Sequence, residues 1–161
     1  MRTALNPNNR FLPINNPIRI PFLTRFVNAL KGVKEVAREP YGGLLDELIH
    51  SYREILRIGC PIPRIRGDIL WNLGCTLSDR FVENGIKRDL EDSINAFRDC
   101  LAIANHSQPR WLRLYNLGIC QGVLCDELDS MDNIDEAIST LDECLKLFPK
   151  TPGIGSESTC H

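Results

Sequence analysis

No stretch of the chain approaches the run of roughly 18 consecutive apolar residues that crosses a bilayer, so no membrane span is expected. No secretory apolar segment precedes a small-residue cleavage site. There is no Cys-x-x-Cys pair, and Cys120 and Cys125, five apart, match no zinc-ligand spacing. Glycine-rich phosphate loops and aspartate-rich metal loops are also missing. Histidine is scarce. His50 falls at a polar helix position, His106 in a turn, and His161 at the end of a Gly/Ser-rich tail, so none is held as a base for a cysteine nucleophile. These absences lead to an expectation of no enzyme, no metal, no cofactor and no small-molecule substrate.

Acidic residues are absent from the first 34 positions, which carry Arg2, Arg10, Arg19, Arg25, Lys31 and Lys34. The remainder holds 13 basic and 21 acidic residues, so the net charge of −2 hides a basic start and an acidic body. A basic, acid-poor start is also a presequence trait, but this one has no serine, and Pro7, Pro13, Pro17 and Pro21 would break its helix. Residues 1–21 are therefore read as a flexible Asn/Pro-rich arm. A helix over 22–38 would bury Leu23, Phe26, Val27, Leu30 and Val33. Its few basic residues, with Glu35 and Glu39 nearby, make too weak a footprint to expect nucleic acid. Seven cysteines without a leader point to reduced thiols and a cytoplasmic location, with mitochondrial targeting the minor alternative.

The most informative feature present is an internal repeat. Asn72-Leu73-Gly74 recurs as Asn116-Leu117-Gly118, 44 residues later. Leu45-Asp46-Glu47-Leu48-Ile49 aligns with Leu90-Glu91-Asp92-Ser93-Ile94 and with Ile134-Asp135-Glu136-Ala137-Ile138. In the same register Tyr52, Phe97 and Leu141 are equivalent, as are Ile55, Cys100 and Cys144. Each copy reads as an amphipathic helix with acidic residues in its first turn, where they favour the positive end of the helix dipole. Gly74 and Gly118 interrupt helical patterns at a cost of about 1 kcal/mol each against alanine, which predicts close approach of a neighbouring helix. A period of this size predicts an all-α solenoid of about three antiparallel helix pairs, in units 22–60, 65–105 and 109–149, followed by a disordered tail over 150–161. The residues that lengthen the period are expected between the two helices of a unit, around Val82 to Arg88 and Cys125 to Asn133.

The pattern Leu70-x-x-Leu73-Gly74-x-x-Leu77, with Ser93, Phe97 and Cys100 in the second helix, resembles the tetratricopeptide (TPR) family. Ala137, Leu141 and Cys144 repeat the second-helix positions, and Pro149 matches the closing proline, whereas Cys60 and Asn105 stand there in the other units. The usual TPR period is about 34 residues. The longer one here is similar to kinesin-light-chain-like repeats, and Arg80 to Ile94 resembles the repeats of large fungal TPR proteins that carry a caspase-like CHAT domain further along.

The resemblance implies a right-handed solenoid in which the first helix of each unit lines a concave groove. That places Asp68, Trp71, Asn72, Cys75 and Asp79 in one unit and Leu112, Tyr115, Asn116, Ile119 and Val123 in the next. Trp71 and Tyr115 share a register position as candidate anchors, against the simpler alternative that they pack between helices. The basic positions of the TPR subclass that grips acidic C-terminal peptides fall on Trp71, Cys75, Tyr115 and Ile119, so a partner with apolar anchors is expected. Three functions are compared: a noncatalytic protein-interaction module, an N-terminal piece of a longer solenoid whose effector domain lies elsewhere, and a thiol-based redox protein. Self-association through Leu141, Leu145, Leu147 and Phe148 is the further partner expectation.

Overall fold

The computed structural model describes residues 42–104, 106–128 and 134–149, together with five isolated helical positions at 21, 25, 28, 29 and 32. The expected arm up to residue 20, most of the expected helix over 22–38 and the expected tail over 150–161 lie outside the described residues. Among the described residues the chain is all-helical: α1 (Gly42–Ile58), α2 (Pro63–Asn84), α3 (Lys87–Leu101), α4 (Arg110–Glu127) and α5 (Ile134–Leu147). None of these helices is long and apolar enough to cross a membrane.

Helix boundaries follow local chemistry. Gly59, at φ +93°, ends α1 in a conformation that L side chains rarely adopt. Pro63 opens α2, where its missing N–H would have had no helical partner. Gly85, at φ +65°, closes α2 and returns its N–H to Phe81 O at 2.7 Å. α3 begins two residues later, at Lys87.

That short turn corrects the expected loop around Val82 to Arg88. The residues that lengthen the period extend α2 instead, which runs for 22 residues. The added turn is held by burial and charge. Phe81 packs against the core between α3 and α4, while Arg80 bonds Asp89 in the first turn of α3 and Asp46 on α1. The corresponding stretch after Cys125 is corrected in part, since α4 continues to Glu127; residues 129–133 lie outside the described residues.

Each helix packs on the next in chain order, and α2 also touches α4. Two apolar clusters result. Leu48, Ile49, Tyr52 and Ile55 of α1 meet Ile69, Leu73 and Leu77 of α2. Leu90, Ile94 and Phe97 of α3 meet Leu117 and Cys120 of α4.

The repeated glycines account for the closest approaches. A Cβ at Gly74 would stand 2.7–2.9 Å from three ring carbons of Phe97, and one at Gly118 would stand 2.7 Å from Leu141 Cγ and Cδ2. Phe97 and Leu141 are themselves register equivalents, so one glycine–large-residue contact occurs twice, 44 residues apart. Ser93, fully buried, donates its hydroxyl to Gly74 O at 2.8 Å and lies 3.7 Å from Cys120 Sγ, which contacts Ser78 Oγ at the same distance. This short polar chain joins α2, α3 and α4 where a larger side chain would not fit.

Candidate functional site

The residues expected in the groove follow one side of α2 (68, 72, 75, 79) and one side of α4 (112, 116, 119, 123) at helical spacing, and these two helices touch. Their environments differ sharply. Tyr115 and Ile119, one turn apart, are 48% and 44% exposed. Trp71 is half-buried: its ring lies 5.5 Å from Phe97 and 6.2 Å, edge-on, from His106. Trp71 therefore packs between helices, whereas Tyr115, its register equivalent, stands in the open. His106 belongs to the turn after α3, and the residues following α5 are not described beyond position 149.

The two asparagines are turned back onto their own helices. Asn72 Nδ2 donates to Asp68 O at 2.7 Å, and Asn116 Nδ2 donates to Leu112 O at 3.3 Å. Thr76 repeats this local pattern by donating to Asn72 O at 2.8 Å. Each amide of these two groove residues thus has a donor engaged one turn back. Cys75 and Val123 are half-buried against the α3–α4 cluster, Leu112 is half-buried, and Asp79 is exposed.

At the N-terminal end of α2 the structure gives the expected groove residue Asp68 neighbours that the sequence did not assign to a site. Asp68 Oδ1 accepts the Ser107 hydroxyl and lies 3.7 Å from His106 Nε2. The His106 side chain is fully buried, and its Nδ1 accepts the Gln108 N–H at 2.8 Å. His106 Nε2, the nitrogen nearer Asp68, is buried and has no hydrogen-bond partner among the described residues. Gly67 makes room for this ring, since a Cβ there would lie 2.7 Å from His106 Cδ2. That glycine, in a helix and outside the repeated Asn-Leu-Gly, was the available signal. Arg113 was also missed. It is buried in α4 and donates through Nη1 to Cys100 O (2.9 Å) and Ile103 O (3.1 Å), placing a cation at the negative C-terminal end of α3.

Three buried thiols, Cys100, Cys120 and Cys144, have a different character from reactive ones. Burial pushes Cys100 up to about 11, despite the opposing pull of Arg113. Burial also raises Cys120, partly offset by its hydrogen-bond contacts with Ser93 and Ser78, and it raises Cys144, whose Sγ donates to Trp111 O at 3.1 Å. An activated cysteine needs a lowered pKa and access to solvent. The six described cysteines are free thiols, and among the described residues no three His, Cys, Asp or Glu side chains converge in a way that could hold a metal ion.

No family model, curated protein or solved structure matches the chain. On α4 the exposed Tyr115 and Ile119 offer apolar contact area, and at the start of α2 Asp68 holds the Ser107 hydroxyl.

Proposed function

We propose that the chain is a TPR-like helical-repeat module that binds a segment of a partner protein along the α2–α4 face, without catalysis of its own. One observation carries this reading: Tyr115 and Ile119 stand exposed together on α4, at positions whose register equivalents, Trp71 and Cys75, are half-buried. An exposed aromatic beside a β-branched residue is an economical anchor, because it buries large area with little rotamer entropy to lose. The recurrence of the glycine contacts at the 44-residue period supports a stack of like units, and the raised thiols speak for packing rather than redox turnover.

Trp71 is a poor probe of the groove, since its removal would disturb the packing around Phe97. The test is Tyr115→Ser with Ile119→Ser, compared with wild type by crosslinking and affinity purification with mass spectrometry from source cells. The double variant should keep its helical circular dichroism and lose the partner that wild type captures. Retention of every wild-type partner by a folded double variant would remove the groove from the argument.

A second reading rests on α5. Ile138, Leu145 and Leu147 are exposed, whereas their register equivalents, Ile94 and Leu101 of α3 and Ile103 just after it, are buried (Ile94) or half-buried (Leu101, Ile103). Another helix pair, from a longer solenoid or from a second copy, would cover this face in the way α4 covers α3. Light scattering that shows a monomer at high concentration would count against a second copy.

A further inference from the structure

Position 121 breaks the rule of its own repeat. Its register equivalent in α2 is Leu77, which is 0% exposed and belongs to the first apolar cluster. In α4 the same position holds Gln121, only 3% exposed. Both ends of its amide, Oε1 and Nε2, are buried, with no hydrogen-bond partner among the described residues. Native proteins rarely leave a buried carboxamide in this condition, because removing it from water without replacing its bonds costs stability. A core position that gives up packing for an unpaired amide is where a functional requirement is to be sought.

Gln121 also lines a cleft. With Leu124 of α4, Glu136 of α5, and Glu91, Ile94, Asn95 and Arg98 of α3, it encloses about 360 Å³, within the range of small-ligand sites of roughly 300–1,000 Å³. The charges around it are already engaged. Arg98 bonds both oxygens of Glu136, at 2.7 and 2.9 Å, and Glu91 lies 3.6 Å from Arg88. The exposed Asn95 contributes a second carboxamide to the lining, and Ile94 and Leu124 supply apolar surface.

We propose that the cleft between α3, α4 and α5 is a second binding site, which takes a neutral ligand presenting a carboxamide or lactam edge to Gln121. A carboxamide holds one acceptor beside one donor, and the complementary arrangement is another amide offering its N–H to Oε1 and its C=O to Nε2. Because neither atom is open to solvent, the Gln121 side chain turns towards the cleft as such a ligand binds, and both atoms are then satisfied at once. A carboxylate would present only acceptors and leave Oε1 unpaired, while an ammonium would present only donors and leave Nε2 unpaired. The site is independent of the α2–α4 groove, and neither proposal requires the other.

The test uses the whole chain and two probes: 2-piperidone, a free lactam, and N-acetylglutamine methylamide, which carries the same edge on a peptide side chain. Cyclohexanone, which keeps the carbonyl and ring but lacks the N–H, is the control. Binding is followed by nitrogen-edited NMR at the amides of Ile94, Gln121 and Leu124. At least one amide probe should shift these signals saturably, and cyclohexanone should bind about tenfold more weakly or worse. Whichever amide probe binds more tightly identifies the source, small molecule or peptide side chain. Gln121→Leu restores the residue type of Leu77, so this variant should melt several degrees higher than wild type and lose the amide probe about tenfold or more. Equal binding of lactam and ketone, equal binding by Gln121→Leu, no shift by either amide probe to its solubility limit, or a variant that melts at or below wild type overturns the proposal.

Discussion

Replacing Arg80 with alanine should destabilise the protein more than any other single surface-side change, and the structure sets the size of the loss. Arg80 grips Asp89 with two charge-assisted bonds, Nε to Oδ2 at 2.7 Å and Nη2 to Oδ1 at 2.6 Å, and reaches Asp46 at 2.5 Å. The Asp89 side chain is 4% exposed, that of Arg80 17% and that of Asp46 64%. The Asp46 arm is solvent-screened and contributes at most about 1 kcal/mol. The Asp89 arm is different, because Arg80→Ala leaves a carboxylate buried without its cation, a defect of about 3–5 kcal/mol. Asp89 lies in the first turn of α3, where the helix dipole favours an anion by about 0.3–1 kcal/mol. A net loss of roughly 2–4 kcal/mol is therefore expected. The assay is urea unfolding followed by far-ultraviolet circular dichroism. Asp46→Ala should cost less than about 1 kcal/mol. Arg80→Met with Asp89→Leu should recover most of the loss, because an apolar pair can replace a buried ion pair at little cost. If Arg80→Ala costs under about 1 kcal/mol, or the double variant costs the sum of its singles, the pair does not join the helices as argued.

Two glycines should respond to alanine with opposite sign. Gly74→Ala places a Cβ within 3 Å of a buried ring that has nowhere to move, and overpacking of about 1–3 kcal/mol outweighs the gain in helix propensity of about 1 kcal/mol. Gly122→Ala meets nothing within 4 Å and should stabilise by about 0.5–1 kcal/mol in the same unfolding assay. The thiols predict a loss of stability in alkali. Cys100 holds its proton to about 11 when folded, against 9.0 for an ordinary thiol, so between those pH values the unfolded state binds fewer protons. Stability should fall there by up to about 1.4 kcal/mol per pH unit for this thiol, with none of that loss below pH 9, and Cys100→Ala should flatten the slope.

The sequence by itself determined the local architecture. Helical periodicity is written in residues three and four apart, so the apolar faces of α1, α3 and α5 were legible. Repeating Gly74 as Gly118 announced a close approach that a Cβ would block. All-helical character followed from the same spacing. The tertiary structure decided what surrounds each side chain, because that depends on elements distant in the chain. The extra residues of the period became another turn of α2 because Phe81 and Arg80 found partners on α1 and α3. Trp71 and Tyr115 share a register yet differ in exposure, because the turn bearing His106 covers the first. Asn72 and Asn116 looked like partner-facing amides and are each bonded to the helix turn behind them. Gln121 stands out only by comparison with the buried Leu77 and by its neighbours in the cleft. Repetition in a sequence can establish which positions correspond; only the packed neighbours show which of them have been left unsatisfied.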